Sequence, residues 1–292
     1  MAEETGSTVP RRQVGRLMRQ LREQAGISLM AAANELEFSR ARMYRIENGE
    51  VAVRKHDVIA MCTIYGAPDS ITEVLIGLAA ESKAKGWWHA YGDVVPGWFE
   101  LYVGMESAAS RLRHYANSVI PGLLQTKEYA ESVFRTRPEF DEDAVQTAVT
   151  VRLERQSLLK RRSPKSPRFE VIIEEGALRR SMADIEGLQR QLALLVNMSQ
   201  KPGVSVRVLP ASAGHHRAMA SGAFTILEFP TIGTTSPEPT TIYSENLTGA
   251  LYLDKPGEVE IYNDVWQSLE QVALDRRGSD DLIATIIKEF DV

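Results

Sequence analysis

The fold of this chain is decided by a short helical stretch at residues 39–49, SRARMYRIENG. Ser39 is placed to cap the helix by accepting a backbone N–H, and Gly49 supplies a left-handed stop. Met43 and Ile46 share an inner face at a spacing of three residues. The outer face carries small and cationic residues, and a helix of that kind fits the major groove of DNA, about 12 Å wide. The stretch therefore predicts a recognition helix.

Apolar residues at helical spacing surround this stretch and predict a bundle of five helices. The patterns run over residues 13–25, 29–35, 58–65 and 71–78, on both sides of the recognition helix. Gly26 ends the first helix and Ser28 caps the second. The turn before the recognition helix has Glu37 and Phe38 where such motifs often have a glycine. Phe38 is predicted to fill the core between the two helices.

The charge distribution supports nucleic-acid binding, although the net charge is −5. Residues 11–55 hold ten Lys/Arg and five Asp/Glu, whereas residues 56–292 are acidic overall. Because DNA phosphates attract a basic surface, the amino-terminal region is the part predicted to bind double-stranded DNA. At 292 residues the chain is long enough for two domains, each with its own core.

Other features of the sequence exclude several classes of protein. No apolar run approaches the roughly 20 residues that a membrane span needs, so no membrane association is predicted. The first residues are polar and acidic, unlike a secretory signal, so a cytoplasmic protein is expected. The single cysteine, Cys62, lies in an apolar helical pattern and is interpreted as a small core residue. No cofactor is predicted.

The composition shifts near residue 83, where aromatic residues cluster around glycines in KGWWHAYG at 85–92. Because exposed tryptophans are unfavourable, the segment is interpreted as a linker that docks against a surface. A platform that stacks on nucleic-acid bases is the alternative. The predicted domains are a flexible N-terminus at 1–12, a helix-turn-helix domain at 13–82, an aromatic linker at 83–105 and a signal- or partner-binding domain at 106–292.

Helices and strands mix after residue 106, which predicts an α+β domain with one sheet covered by helices. Strands are predicted at 111–118, 169–174, 204–209, 223–229, 240–244 and 251–253. Helices are predicted at 126–135, 141–160, 184–199, 256–273 and 279–290. Residues 231–239, rich in Thr, Pro and Gly, predict an exposed loop. The fold class is therefore mixed, with an all-α domain followed by an α+β domain.

Two motifs, LRxxAGIS at 21–28 and SR followed by IENG at 39–49, resemble the helix-turn-helix of the xenobiotic-response-element family, which contains the phage Cro and repressor domains. The resemblance covers about residues 12–80. It implies a buried ion pair of Arg22 with Glu47 that ties the first helix to the third. Leu29 departs from the pattern, since many members carry Gln there to brace the recognition helix or to touch DNA.

The outer face of the recognition helix holds the predicted DNA contacts. By this resemblance and by position, the residues assigned to base reading are Arg40, Ala41, Tyr44 and Arg45. The residues assigned to phosphate contacts are Ser28, Ser39, Arg42 and Asn48. An arginine near the amino end of such a helix directs two parallel donors at guanine O6 and N7, worth about 1–3 kcal/mol of discrimination. A basic face that binds only water is the alternative.

A second resemblance covers about residues 100–288. The motifs IPGLLQTxxYA at 120–130, VLPxxAG at 208–214 and GAFTILEF at 222–229 are similar to the C-terminal domain of unknown function, of the DUF5753 type, found on many actinobacterial helix-turn-helix regulators. The resemblance implies a regulator that is often encoded beside a small partner protein.

Six acidic and histidine residues in the second domain are the candidates for catalysis or metal binding: His114, Glu174, Glu175, His215, His216 and Glu245. Adjacent histidines on an extended chain point to opposite faces and rarely share a metal. Arg217 and the two histidines before it either line a ligand pocket or form a surface loop. Tyr243 and Glu245 share one face of a strand, as in some nucleotide-cofactor transferases, but no nucleophile–base pair accompanies them. No enzyme is predicted.

These patterns lead to one main hypothesis, a sequence-specific transcription regulator that dimerises on a pseudo-palindrome and whose C-terminal domain senses a partner protein or a small ligand. The alternative is an antitoxin-like interaction protein, which sequesters a small partner through residues 100–288 and autoregulates its own operon. A transferase activity that depends on Glu245 is the third hypothesis.

Overall fold

A computed structural model describes residues 8–81, 97–180, 182, 184–231, 238–247 and 249–290. These residues form two compact units. Among the described residues, the first unit comprises 8–81, 100–108, 230–231 and 238, and the second comprises 97–99, 109–180, 182, 184–229, 239–247 and 249–290.

The first unit contains the predicted bundle of five helices. They are α1 (Thr8–Gln24), α2 (Leu29–Glu35), α3 (Arg40–Glu47), α4 (Lys55–Tyr65) and α5 (Asp69–Glu81). Their common core is built largely from Val14, Met18, Ala33, Met43, Ile46, Val58, Met61 and Leu75. Cys62 is 2% exposed in this core, and Phe38 packs against it, which agrees with both predictions.

Side-chain caps fix the residues at which α2 and α3 begin. The Oγ of Ser28 accepts a hydrogen bond from the N–H of Ala31, and the Oγ of Ser39 accepts one from the N–H of Arg42, each at 3.1 Å. The turn between the two helices places Glu37 at φ 55, a left-handed conformation that usually favours glycine. The sequence therefore closes a tight turn here without the usual residue, at some cost in backbone strain.

Two glycines let α1 approach α3 closely. A Cβ on Gly15 would lie 2.4 Å from the carbonyl oxygen of Ile46 and 2.8 Å from that of Glu47. Gly49 ends α3 at φ 69, and a Cβ there would lie 2.6 Å from Cα of Arg12. Larger side chains at either position would push α1 away from the recognition helix.

The second unit contains one six-stranded sheet. Its strands are β1 (Arg111–Ala116), β2 (Arg168–Glu174), β3 (Val204–Leu209), β4 (Phe224–Glu228), β5 (Thr241–Asn246) and β6 (Gly249–Leu253). The strand order is β3-β2-β1-β4-β5-β6. The strands β1, β2 and β3 are parallel, with Leu112 opposite Phe169, whereas β4, β5 and β6 pair antiparallel. The sheet confirms the predicted α+β class.

Helices complete the chain. They are α6 (Gly97–Ala108), α7 (Lys127–Phe134), α8 (Glu142–Arg155), α9 (Glu175–Leu178), α10 (Ile185–Ser199), α11 (Pro256–Val272) and α12 (Arg276–Glu289). On one face of the sheet, Trp266 and Leu269 of α11 form a core with Tyr115, Ile172 and Phe224. On α10, the predicted apolar face of Leu188, Leu192 and Leu195 is buried.

The structure corrects the sequence reading at three places. Helix α6 occupies residues 97–108, although the region up to 105 was predicted as a linker. Its two glycines and its aromatic residues are not typical of a helix, yet the segment is helical and its Tyr102 and Met105 are buried. Helix α1 begins at Thr8, inside the segment predicted as a flexible N-terminus, and α9 was not predicted. Residues 83–96 of the predicted linker and residues 232–237 of the predicted loop lie outside the described residues.

Candidate nucleic-acid interface

The outer face of α3 is exposed over most of its length. Arg40, Ala41, Tyr44 and Arg45 are all exposed, and Tyr44 has 58% of its surface accessible. The opposite face buries Met43 and Ile46 in the core, which fixes the helix and the direction of the exposed side chains. Within the described part of the chain, the guanidinium groups of Arg40 and Arg45 have no hydrogen bond or ion pair. Both arginines are therefore available to a ligand.

The small polar residues predicted to contact phosphate flank this face. Ser28, Ser39 and Asn48 are exposed. The hydroxyl oxygens of both serines accept capping hydrogen bonds, which leaves each O–H free to donate. Asn48 follows α3, and its backbone N–H donates to the carbonyl of Tyr44 at 3.0 Å, while the N–H of Gly49 donates to that of Ile46.

Arg42 differs from its neighbours on α3 because other residues hold its guanidinium. Its Nη2 donates to Asp57 Oδ2 at 2.8 Å, and its Cζ lies 3.8 Å from the centroid of the Phe38 ring. Asp57 is 7% exposed in the first turn of α4, so the pair joins the start of α3 to the start of α4. Arg42 thus braces the recognition helix, and a contact from Arg42 to phosphate stays a prediction.

Arg22 and Glu47 form a bidentate ion pair between α1 and α3. Arg22 Nε donates to Glu47 Oε1 at 2.6 Å and Nη2 donates to Oε2 at 2.9 Å. The remaining nitrogen, Nη1, donates to the carbonyl of Ile27 at 2.8 Å. Both side chains are buried, at 8% and 3% exposure, and the hydrogen bond to Glu47 raises the pKa of the guanidinium above its ordinary value. Glu47 is thereby occupied within the protein.

The arginines of α1 are also paired. Arg16 Nη2 donates to Glu238 Oε2 at 2.6 Å, and Arg12 Nε lies 3.3 Å from Oε1 of the same carboxylate. The Glu238 side chain is fully buried in this compact unit. Arg19 pairs with Glu23 one turn along the helix at 2.9 Å. These pairs offset much of the positive charge that the sequence places on α1.

Two cations next to this face were missed by the sequence analysis. Arg54 and Lys55 are exposed at the start of α4, and neither has an ion pair with a described residue. Arg54 occupies the N-cap position without capping the helix through its side chain. Both belong to the basic stretch of residues 11–55 that the charge distribution indicates.

The residues weighed for catalysis fall into separate groups. Glu174 Oε1 lies 3.4 Å from His216 Nε2 and accepts a hydrogen bond from the Tyr115 hydroxyl. Tyr243 donates to Glu245 Oε2 at 3.0 Å. Among the described residues, no group of three or more His, Cys, Asp or Glu is arranged to hold a metal ion.

Two others of these residues have contacts of their own. His114 Nδ1 lies 2.7 Å from Thr225 Oγ1, and Arg217 Nη1 lies 3.6 Å from Asp264 Oδ2. His215 and Arg217 are exposed, as the predicted surface loop requires, whereas the side chain of His216 is only 10% exposed and lies against Glu174.

A capped, exposed, arginine-bearing helix on a helical bundle defines a helix-turn-helix DNA-binding domain. A family model described as a helix-turn-helix domain matches residues 13–75, and one described as a domain of unknown function (DUF5753) matches residues 99–285. The chain belongs to the DUF5753 family, as a member with an amino-terminal helix-turn-helix domain. Among curated proteins, no sequence matches the chain. None of the helices in the described ranges is long and apolar enough to cross a membrane.

Proposed function

We propose that the protein is a sequence-specific transcription regulator that reads DNA bases through the outer face of α3. One observation carries the proposal: Arg40 and Arg45 are exposed and unpaired among the described residues, whereas Arg22, Arg42 and Arg16 are bound by carboxylates. An unpaired guanidinium on a fixed helix is suited to the bidentate contact with guanine. Tyr44 and Ala41 lie on the same face, where they meet base edges or thymine methyl groups.

The DNA-binding experiment compares two duplexes. A preferred duplex is selected by the purified full chain from a randomised pool, and a scrambled duplex has the same length and composition. Arg40→Ala and Arg45→Ala each lower affinity for the preferred duplex by about 5- to 150-fold, the equivalent of 1–3 kcal/mol per lost base contact. Affinity for the scrambled duplex changes much less. Arg19→Ala serves as the control, because Arg19 is an exposed arginine of α1 that is paired with Glu23 of the same helix.

Equal losses on both duplexes would refute base reading by α3. In that case the arginines would contribute only to the sequence-independent attraction between a cation and phosphate. Loss of affinity in Arg19→Ala of the same size would also refute it, since the effect would then follow net charge rather than position.

Dimerisation is part of the same proposal. One helix-turn-helix contacts a short half-site, and two half-sites about 34–36 Å apart give the usual affinity and specificity. Two half-sites in the selected duplex, with sedimentation of the complex at two chains per duplex, are the expected results. A single half-site bound by one chain would contradict dimeric reading.

The C-terminal domain is proposed to receive a signal from a partner protein or a small ligand and to alter DNA binding. What supports this role is a separate sheet and core in the second unit, together with the acidic balance of residues 56–292. Co-purification from the native cell tests the protein partner. A small protein bound at equal stoichiometry that changes affinity for the preferred duplex fits the regulator. A small protein that binds the chain but changes its affinity for the preferred duplex little or not at all fits the antitoxin-like alternative.

A further inference from the structure

A basic loop in the second unit stands apart from the acidic surroundings of that unit. Residues 160–168, KRRSPKSPR, hold five Lys/Arg and no Asp/Glu, and the nearest acidic residues in the sequence are Glu154 and Glu170. The segment, called here the basic loop, connects the end of α8 and its following 3-10 turn (156–159) to the start of β2. A concentration of like charge on one turn is unfavourable unless something neutralises it.

Within the basic loop, only part of the charge is neutralised by the protein. Arg168 Nη2 pairs with Glu170 Oε1 at 2.5 Å. Arg161 donates to the carbonyl of Lys165, at 3.4 Å from Nε and 3.3 Å from Nη2. Lys160, Arg162 and Lys165 are exposed, and their side chains make no ion pair with any residue that the structure describes. Three positive charges therefore face solvent.

The basic loop is held at the amino-terminal edge of the parallel strands. The N–H of Arg168 donates to the carbonyl of Ser110 at 2.9 Å, just before β1. The N–H of Phe169 donates to the carbonyl of Gly203 at 2.7 Å, in the turn before β3. That turn adds a fourth exposed cation, Lys201. The charges are thus presented by anchored backbone at one edge of the sheet.

We propose that the basic loop is a second contact to the DNA backbone, which adds sequence-independent affinity to the base reading by α3. This inference rests on the proposed function. Three or four exposed cations at one sheet edge, without an exposed aromatic or large apolar side chain among residues 160–168, suit a polyanion better than an apolar partner surface. DNA is the polyanion that the other unit of this chain binds.

The expected effect is a change in the salt dependence of DNA binding. Each phosphate neutralised by a cation contributes about 0.9 to the slope of log K against log salt. The triple variant Lys160→Gln/Arg162→Gln/Lys165→Gln therefore has a slope shallower by about 2.7 if all three contact phosphates. Between 50 and 200 mM salt, the wild-type chain then loses roughly 40-fold more affinity than the variant. Both duplexes show the change, because phosphates carry no sequence.

The experiment titrates the full chain into the preferred and the scrambled duplex, labelled for fluorescence anisotropy, at four or more salt concentrations. The control is Arg276→Gln/Arg277→Gln/Lys288→Gln, which removes the same charge from exposed cations on α12. It separates a local contact from the general field of the protein. Circular dichroism of both triple variants checks that the fold is kept.

Each outcome decides the proposal. A shallower slope in the basic-loop variant, a slope close to wild type in the control, and an unchanged ratio between the two duplexes support it. An unchanged slope in the basic-loop variant overturns it, and so does an equal change in both triple variants. If Arg40→Ala has a lower affinity for the preferred duplex while the basic-loop variant keeps the wild-type slope of log K against log salt, the proposed function stands and this inference alone fails. If the wild-type chain binds neither duplex, both fail.

Discussion

Glu47→Gln is the most informative test of how the recognition helix is held. The substitution keeps the size of the side chain but removes its charge and one hydrogen-bond acceptor. Arg22 then remains a buried cation, 8% exposed, that keeps the carbonyl of Ile27 as a hydrogen-bond acceptor and the exposed carboxylate of Glu23, 3.6 Å from Nη2, as a weaker charge partner. The perturbation therefore leaves Arg22 without its close, buried charge partner at the junction of α1 and α3.

The magnitude follows from burial and geometry. Removing one partner of a buried, hydrogen-bonded ion pair costs about 3–5 kcal/mol, whereas an exposed pair is worth less than about 1 kcal/mol. With contacts of 2.6 and 2.9 Å and both side chains under a tenth exposed, the pair belongs to the first kind. We expect a loss of about 3 kcal/mol, because Gln still accepts one hydrogen bond.

Hydrogen exchange measured by mass spectrometry localises the loss. In the regime where exchange follows the opening equilibrium, 3 kcal/mol lowers protection by about 150-fold in the most stable amides of α1, α3 and α4. The strands β1, β2 and β3 serve as an internal reference, because the second unit has its own core. A double variant, Arg22→Met/Glu47→Leu, replaces both charges by apolar side chains and is expected to lose less than Glu47→Gln.

Two results would refute the reasoning. Unchanged protection in the helices of residues 8–81 would mean that the pair contributes nothing that a neutral amide cannot supply. A double variant at least as unstable as the single one would mean that packing volume, rather than the stranded charge, sets the loss.

Three further changes have defined outcomes. Gly15→Ala destabilises the first unit by several kcal/mol because its Cβ would meet the carbonyls of α3, while Gly77→Ala, in open space on α5, stabilises it by up to about 1 kcal/mol; thermal denaturation compares them. Glu37→Gly raises the melting temperature, because glycine adopts φ 55 without strain, and a fall would contradict strain at that turn. Burial, with a smaller effect of Arg155, lowers the pKa of His114 from 6.5 to about 4. The unfolded chain therefore binds the proton first, so stability is full above pH 6.5 and falls by about 2 kcal/mol at pH 5; urea titrations show a smaller fall in His114→Gln.

The elements with strong local signals could be predicted from the sequence. The bounds of α2 at 29–35 and of β3 at 204–209 agree with prediction to the residue. Both carry local signals, a serine cap before α2 and apolar, β-branched residues alternating with polar ones over residues 204–208 of β3. Helix α6 was not predicted because its signal is not local: aromatic residues beside glycines resemble an irregular segment, whereas the structure buries Tyr102 and Met105 of this segment in a helix.

The position of the candidate site was predictable, but which of its arginines are paired with carboxylates and which face solvent was not. Residues 40–45 hold three arginines in six positions, and nothing local separates them. Arg42 is distinguished by Asp57, fifteen residues away, and by the ring of Phe38. Arg16 is distinguished by Glu238, which lies 222 residues along the chain. Ion pairs between residues so far apart in the sequence form only in the tertiary structure, and they cannot be predicted from a single sequence.

The consequence for DNA recognition concerns rigidity as much as charge. An arginine reads guanine well only when its helix is fixed, since each contact demands two donors in one plane. Here the carboxylate of Glu47 pairs with Arg22 and holds α3 to α1, and that of Asp57 pairs with Arg42 and holds α3 to α4. Neither carboxylate lies on the exposed face of α3. The positive charge that remains on α3 is therefore smaller than the sequence implies, but it is carried by a helix with both ends tied. Sequence specificity in this protein should therefore depend on those two ion pairs. Asp57→Asn is expected to lower the affinity for the preferred duplex more than the affinity for the scrambled duplex. Charge alone predicts the opposite, because removing an acidic residue strengthens binding to any DNA.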